Sequence, residues 1–221
     1  MTRKVAVLLD LDGTLVDANY QHALAWFRAF RSHGIVLPIW RIHRHIGMGG
    51  DQLVAAVAGG EVERRCGDRL RATEHEEFLK MRDECEPLEG ARELLEELHD
   101  RATAVVLASS ASEDDVEHFL GVLAADGLID AWTTADDVER SKPHPDIVQA
   151  ALEKADADRA VMIGDSRWDV EAAAKAGLET ICVLTGGWSK QELAVSGASS
   201  VFESLVELRR RLDETPIASG R

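Results

Sequence analysis

The chain starts with a short apolar run that ends in two closely spaced carboxylates. Residues 5–9 read VAVLL and are followed by Asp10 and Asp12. This run is too short for a buried helix and is typical of a strand covered on both faces, as in parallel sheets. Ligands of open α/β sheets bind beyond the carboxyl ends of the strands, so both acids are expected in such a crevice. Two carboxylates in such a crevice need a cation or a shared proton between them. The alternative explanation of this segment is a surface turn after a core strand.

A second predicted strand, at residues 102–109, also ends in polar side chains. Ser109 and Ser110 follow its apolar part, and Ser112 lies three residues before Asp115, a spacing typical of a helix N-terminus. Hydroxyl and N–H groups are thus offered where an anion could bind. A serine after a strand is more often only a helix cap, so this segment alone decides little.

Two later segments add a cation and another pair of acids. Lys142 precedes two prolines in the run SKPHPD, and this stiff loop fixes the position of its charge. Residues 160–163 read AVMI, a third predicted strand, and lead into Asp165, with Asp169 four residues later. A solvated lysine would be the ordinary alternative. Four such signals in this order, each after a strand, indicate one common site.

Together these segments resemble the motifs of the haloacid dehalogenase-like hydrolase superfamily. The matches are DLDGT at residues 10–14, Ser109, Lys142 and GDSRWD at residues 164–169. Their order and spacing span nearly the whole chain and are similar to those of phosphatases and phosphomutases with an inserted helical cap. The resemblance implies an α/β fold: a Rossmann-like three-layer α/β/α core with a mostly parallel sheet, plus an inserted α-helical cap.

The character of the sequence changes between residue 16 and residue 87. This segment has helical periodicity and few strand-like runs, whereas helix and strand alternate again after residue 90. We predict a cap domain of four or five helices at residues 16–87, inserted in a core domain at residues 1–15 and 88–221. Only the tail after residue 212 is expected to be disordered.

Composition argues against several classes of protein. The 221 residues carry a formal net charge of −15, which disfavours nucleic acid as a partner. No apolar run approaches the roughly 20 residues of a membrane span. Three scattered cysteines without C-x-x-C spacing predict reduced thiols and no zinc site. A cytoplasmic protein is therefore expected, and monomer and homodimer both stay open.

The resemblance also implies a mechanism. Asp10 is the expected nucleophile that forms an aspartyl phosphate, and Asp12 the acid that protonates the leaving alcohol and later takes a proton from water. Mg²⁺ is the expected cofactor, because this hard cation takes carboxylate and phosphate oxygens. Its expected ligands are Asp10, the backbone carbonyl of Asp12 and Asp165, with Asp169 supporting the site from behind these ligands.

The remaining motif residues are expected to hold the phosphoryl group. Ser109, with the N–H groups of Ser110 and Gly13, should bind its oxygens, and Lys142 should balance the remaining negative charge. The hydroxyl of Thr14 is expected to orient the acid–base residue or to touch the phosphate indirectly.

The second acid of the first motif favours a phosphate ester as substrate, because similar dehalogenases and phosphonate hydrolases lack it. The predicted activity is therefore magnesium-dependent hydrolysis of a small phosphorylated metabolite. A β-phosphoglucomutase-like sugar phosphomutase is the alternative. His22, with Trp26 one turn later, matches a His and a Trp of those mutases, but Gly50 stands where they carry an arginine. His22 could equally be a linker contact or a partly buried polar residue.

The cap segment at residues 40–53 is expected to select the substrate. Gly47, Gly49 and Gly50 permit close approach of the backbone to a ligand, and basic side chains lie nearby. A helix–helix turn with exposed basic residues is the alternative. A binding or regulatory protein without turnover would be a different class, but such a protein has no need of an acid–base residue beside a nucleophile.

Overall fold

The computed structural model describes residues 5–157 and 159–218, and its centre is a parallel sheet. The strands are β1 (Ala6–Leu9), β2 (Val105–Ala108), β3 (Ala131–Thr133), β4 (Ala160–Gly164), β5 (Glu179–Val183) and β6 (Ser200–Phe202). Their order across the sheet is β3-β2-β1-β4-β5-β6, and every neighbouring pair is parallel. This order confirms the predicted Rossmann-like fold and places a ligand crevice beyond the carboxyl ends of β1 and β4.

The α-helices lie between and after these strands. Within the described ranges they are α1 (Asn19–Ser32), α2 (Ile39–His43), α3 (Gly50–Ala58), α4 (Gly60–Leu79), α5 (Ala91–Arg101), α6 (Glu113–Val122), α7 (Asp146–Ala155), α8 (Arg167–Lys175), α9 (Lys190–Ser196) and α10 (Leu205–Arg210). None of these helices is long and apolar enough to cross a membrane.

Helices cover both faces of the sheet, because alternate residues of a strand point to opposite sides. Val7 and Leu9 of β1 belong to a buried cluster with residues of α5, α6 and α10. Ala6 and Leu8 belong to a second cluster with residues of α7 and α8. Burial on both faces explains why β1 is a continuous apolar run, and the result is the predicted three-layer arrangement.

Helices α1–α4 follow β1 and share a hydrophobic cluster of their own. Trp26 and Phe30 of α1 come together there with Leu53 of α3 and Leu70 of α4. The spacing of Trp26 and Phe30 by one helical turn is the period that an amphipathic helix requires. This cluster accounts for the helical periodicity of residues 16–87. That these residues form a domain separate from the core stays a prediction.

The chain leaves the sheet and returns to it through two segments that lie side by side. Val16 forms an antiparallel bridge with Pro87, and the N–H of Asp17 donates to the carbonyl of Glu86. One segment leads from β1 into α1, and the other leads from α4 towards α5. Their pairing holds the start of α1 close to the carboxyl end of β1.

Local structure differs from expectation at two places. No apolar pattern predicts β3, because it has only three residues and two of them are half-buried. The tail after residue 212, predicted to be disordered, instead forms a 3₁₀-helix at Leu212–Glu214, and Ile217 is buried against the sheet cluster. Leu212 and Ile217 are buried apolar residues in a segment that is otherwise mostly polar, and they were therefore not recognised in the sequence as packing residues. Residues 219–221 of this tail lie outside the described residues.

Candidate active site

The loop after β1 carries Asp10 and Asp12 into the crevice at the carboxyl end of the sheet. Asp10 is only 5% exposed, and its N–H donates to a carbonyl of the neighbouring strand β4 at 2.9 Å. The backbone then turns back through Gly13, whose φ is +77°. A Cβ at Gly13 would collide with Asn19 and Asp165. Glycine is therefore required here both for its conformation and for space.

Asp165 follows β4 and is held by two donors from the β1 side. Thr14 Oγ1 donates to its Oδ1 at 3.1 Å, and Asn19 Nδ2 donates to its Oδ2 at 2.9 Å. All three side chains are buried. The sequence predicted that Thr14 orients Asp12 or touches the phosphate indirectly, and that role stays a prediction. A fully buried hydroxyl needs a partner, and Asp165 is the acceptor that it has.

Lys142 joins Asp10 to Asp169. Its Nζ lies 2.7 Å from Asp10 Oδ1 and 2.8 Å from Asp169 Oδ1, and the side chain is 1% exposed. Burial lowers the pKa of Lys142, but the two adjacent carboxylates outweigh burial and raise it above its ordinary value. The N–H and Oγ of Ser166 donate to the other oxygen of Asp169, at 3.0 and 2.6 Å. Protein donors thus hold both oxygens of Asp169.

Three buried carboxylates crowd together in this crevice. Oxygens of Asp10, Asp165 and Asp169 lie within 4.8 Å of one another. Burial raises the pKa of Asp10 and of Asp165, and repulsion among the acids adds to the effect, although Lys142 opposes it. Buried like charges with oxygen donors fit a hard divalent cation such as Mg²⁺. Protein donors contact all three acids, so the expected division into direct ligands, Asp10 and Asp165, and a supporting Asp169 stays a prediction.

Two serines follow β2 at the rim of the crevice. Ser109 is buried, and its Oγ accepts from the N–H of Ala111 at 3.0 Å. Ser110 lines a cavity, and its buried Oγ has no hydrogen-bond partner among the described residues. A buried hydroxyl that lacks a partner beside a cavity is typical of a ligand site. The side chain of Ser110 thus lies at the cavity, in line with the predicted hydroxyl and N–H groups of this segment, and its role stays a prediction.

A cavity of about 320 Å³ lies between these residues and side chains of α1 and α4. The 21% exposed side chain of Asp12 borders it, and Asp12 Oδ1 has no partner among the described residues. His22 Nε2 lies 3.8 Å from Asp12 Oδ2, and His22 Nδ1 lies 2.9 Å from Glu74 Oε1. Burial lowers the pKa of His22, but Glu74 and Asp12 outweigh burial and raise it to about 9. His22 is thus a wall of the cavity, in contact with the predicted acid–base residue.

The glycine segment of the cap lines the same cavity. Gly47 has φ +94°, whereas Gly49 has φ −69° and caps the start of α3. A Cβ at Gly49 would collide with Ser141, and one at Gly50 would lie 3.2 Å from the side chain of Arg71. Arg71 Nη1 also donates to the carbonyl of Gly50 at 3.1 Å. The segment therefore needs glycine for a positive φ only at Gly47, and for space at Gly49.

Comparison with known proteins gives the family. The sequence model described as "Haloacid dehalogenase-like hydrolase" matches residues 7–183. The chain belongs to this family. The resemblance inferred from the four motifs is thereby confirmed.

Relatives of this haloacid dehalogenase-like hydrolase include enzymes named phosphatases. Validoxylamine A 7'-phosphate phosphatase of Streptomyces hygroscopicus subsp. limoneus is 29% identical over 212 residues, which are 93% of this chain and 96% of that protein. Pyrophosphatase PpaX of Bacillus cereus strain G9842 is 30% identical over 188 residues, or 80% and 82% of the two chains. The crystal structure of a hydrolase from Pseudomonas syringae has a TM-score of 0.89 and 34% identity, covering 96% of this chain and 99% of that one. The chain is accordingly a phosphatase of the haloacid dehalogenase-like family.

The structure brings most of the predicted residues of this haloacid dehalogenase-like enzyme into two adjoining groups. The contacting buried group contains Asp10, Lys142, Asp165 and Asp169. The cavity is lined by Asp10, Asp12, His22, Gly49, Gly50, Ser110 and Lys142. Ser109 and Thr14 form hydrogen bonds with protein groups. Gly13 forms the turn that follows Asp12. The chemical roles of all these residues stay predictions.

Several polar side chains of the site were not predicted from the sequence. Asn19 and Ser166 hold the buried acids, and Arg71, Glu74 and His75 line the cavity from α4. The three α4 residues recur at i, i+3 and i+4, which is one face of a helix and the one signal that could have found them. The polar character of that face, however, is also what a solvated surface would show.

Proposed function

We propose that this phosphatase is a magnesium-dependent phosphomonoester hydrolase that forms an aspartyl phosphate on Asp10. The observation that carries the proposal is the presence of two acids in different settings at one cavity. Asp10 is buried against the ammonium of Lys142, whereas Asp12 borders the cavity and has an unpartnered oxygen in the described structure. Environments that differ in this way suit a nucleophile and a proton donor respectively.

In the first half-reaction, a carboxylate oxygen of Asp10 attacks phosphorus and the bond to the leaving oxygen breaks. Asp12 gives its proton to that oxygen. Burial raises the pKa of Asp12 and favours the protonated form, although the nearby charge of His22 acts in the opposite sense. In the second half-reaction, water attacks phosphorus, Asp12 takes its proton, and the bond to Asp10 breaks. Inorganic phosphate leaves, and both carboxyl groups return to their starting states.

The transferring phosphoryl group carries spread negative charge that the site must balance. Lys142 lies against Asp10 and is placed to offset the charge of both the nucleophile and the phosphate. The hydroxyl of Ser110, together with N–H groups of its loop, is placed to donate to phosphoryl oxygens. Mg²⁺, held by Asp10, Asp165 and the backbone carbonyl of Asp12, would supply further charge neutralisation when bound.

A small phosphorylated metabolite is the proposed substrate. The cavity of about 320 Å³ lies at the lower end of the range for small-molecule sites. The Streptomyces relative is named a phosphatase of validoxylamine A 7'-phosphate, which supports a phosphate ester. A sugar phosphomutase is the second candidate, because His22, which matches a His of those mutases, lies 3.8 Å from Asp12.

We further propose that residues 16–87 form a cap domain and residues 1–15 and 88–221 the core. The separate hydrophobic cluster of α1–α4 and the paired linkers support this division. In this arrangement the core carries the phosphoryl chemistry, and the cap contacts the leaving group.

A cytoplasmic location completes the proposal. The cysteines Cys66, Cys85 and Cys182 are free and buried, as expected for a reducing compartment. The oligomeric state, monomer or homodimer, stays open.

Phosphate release from p-nitrophenyl phosphate tests the proposed activity. We expect turnover in Mg²⁺, loss of turnover in excess chelator, and recovery when Mg²⁺ is restored. Asp165→Asn should raise the Mg²⁺ concentration needed for half-maximal activity, because it removes a charged ligand. Asp126→Asn, a change at an exposed acid, is the matched control. Undiminished turnover in excess chelator would show that the metal role is wrong.

A further inference from the structure

The part of the cavity lining that α1 and α4 contribute, here called the cap wall, consists of His22, Trp26, Arg71, Glu74 and His75. Each basic side chain of the cap wall already has an acidic partner within salt-bridge distance. The pairs are His22 with Glu74, Arg71 with Glu63 and Asp68, and His75 with Asp115. On the core side, Lys142 is paired with Asp10 and Asp169. In the described part of the chain, every basic side chain that lines the cavity therefore lies within salt-bridge distance of an acidic one.

Arg71 shows how complete this pairing is. Its Nη1 and Nη2 donate to the two carboxylate oxygens of Glu63 at 3.1 and 2.9 Å, an arrangement that is strong and geometrically specific. Nη2 also donates to Asp68 at 2.7 Å, and Nη1 to the carbonyl of Gly50 at 3.1 Å. The guanidinium is thus engaged by two acids before any substrate enters.

Acids outnumber cations in the contacts of α1 and α4 at this wall. Glu63, Asp68 and Glu74 face the charges of Arg71 and His22. The side chain of Glu74 is 12% exposed, so its charge is only weakly screened by solvent. Glu63 and Asp68 pair with Arg71 but do not line the cavity, so Glu74 is the carboxylate acceptor that the cap wall itself offers, and the wall has little net positive charge.

We infer that the cap wall selects monophosphates whose alcohol part carries hydroxyl or amine donors, and that it rejects a second phosphate group. This inference rests on the proposed phosphomonoesterase activity. Hydroxyl and amine groups donate to carboxylate oxygens, and the ring of Trp26 offers an apolar surface for the carbon skeleton.

A second phosphate carries about −1.5 to −2 charges at neutral pH and needs cations or many donors when it is removed from water. Within the cavity, Lys142 is committed to Asp10 and to the transferring phosphoryl group. Accepting a distal phosphate would require Arg71 to leave Glu63, which would strand a partly buried carboxylate beside the incoming anion. The same argument disfavours a bisphosphate intermediate or primer, and hence the phosphomutase alternative.

Paired substrates test the inference on the unmodified chain. The pairs are glucose 6-phosphate with glucose 1,6-bisphosphate and fructose 6-phosphate with fructose 1,6-bisphosphate, with inorganic pyrophosphate as a third anion-rich substrate. We expect kcat/KM to be lower for each bisphosphate and for pyrophosphate by about 10-fold or more. Equal or higher kcat/KM for the bisphosphates or pyrophosphate would overturn the inference.

A second test removes the acidic partners of Arg71. Glu63→Gln combined with Asp68→Asn should lower the monophosphate-to-bisphosphate ratio of kcat/KM by about 10-fold, because the freed guanidinium can bind a distal phosphate. Glu61→Gln combined with Glu76→Gln removes the same charge from exposed positions of α4 and should leave the ratio unchanged. Equal ratios in both double variants would contradict the role of the pairing. If the first double variant fails to fold, Glu63→Gln alone, which removes the two-bond pairing but leaves the contact with Asp68, should lower the ratio relative to its matched control Glu61→Gln, and equal ratios in these two variants would contradict the role of the pairing.

The two proposals fail in different ways. If no aryl or sugar monophosphate releases phosphate in Mg²⁺, the phosphomonoesterase proposal is wrong and this inference falls with it. If monophosphates are hydrolysed and bisphosphates are hydrolysed equally well, only the inference about the cap wall is wrong.

Discussion

At the scale of single residues, the site depends on how two similar carboxylates are treated differently. Asp10 is buried and paired with Lys142, so its negative charge is neutralised by a fixed ammonium. Asp12, two residues later, borders the cavity beside His22, and burial raises its pKa. Two neighbouring acids can therefore act as nucleophile and as proton donor.

Replacement of Asp12 tests this separation. Asp12→Asn should slow turnover by about 10²- to 10⁴-fold, the usual loss when a general acid–base residue is removed. The loss should be larger for an alkyl phosphate than for p-nitrophenyl phosphate, because nitrophenolate leaves without a proton. Measurement of kcat for both substrates in both proteins decides the point. An equal loss for the two substrates would mean that Asp12 does not protonate the leaving group.

At the scale of secondary-structure elements, the helices proposed as the cap contact the proposed core at the start of α3. Asp51 in the first turn of α3 accepts from the N–H of Ser141 at 3.1 Å and from its hydroxyl. Ser141 precedes Lys142, so this contact joins α3 to the residue next to a predicted catalytic lysine. Gly49 makes the approach possible, because a Cβ there would collide with Ser141. The glycine segment thus sets how closely the cap can lie over the core.

Gly49→Ala should therefore displace the cap from the core around Ser141. We expect kcat/KM for the preferred sugar phosphate to fall more than kcat/KM for p-nitrophenyl phosphate, because only the larger leaving group uses contacts with the cap. Gly60→Ala, at the first residue of α4, is the matched control, since a Cβ there meets only the end of the flexible Arg64 side chain at 3.4 Å. Thermal melting of both variants establishes that they are folded.

An equal loss of kcat/KM for the two substrates in Gly49→Ala would contradict a role of this contact in substrate choice. Selectivity would then have to come from the cap wall on α1 and α4 alone.

At the scale of the whole molecule, the fold could be predicted because its strands are apolar runs that end in recognisable motifs. Strands β1, β2 and β4 could be predicted in this way, and so could the acids and the lysine that follow strands. The short strand β3 and the anchoring of the tail by Ile217 were not, because neither has a periodic signal. Arg71 and Glu74 enter the site only through the packing of α4 on α1. Such contacts between distant segments leave no local pattern in the sequence.

The central claim for the whole enzyme is that catalysis passes through a covalent phosphate on Asp10. Acid quenching during turnover of a ³²P-labelled phosphomonoester in Mg²⁺ tests this claim most directly. We predict label on the wild-type chain that hydroxylamine releases, as expected of an acyl phosphate, and no label and no turnover in Asp10→Asn, because an amide cannot attack phosphorus. Label retained by the Asp10→Asn protein, or turnover by it at the wild-type rate, would contradict the mechanism.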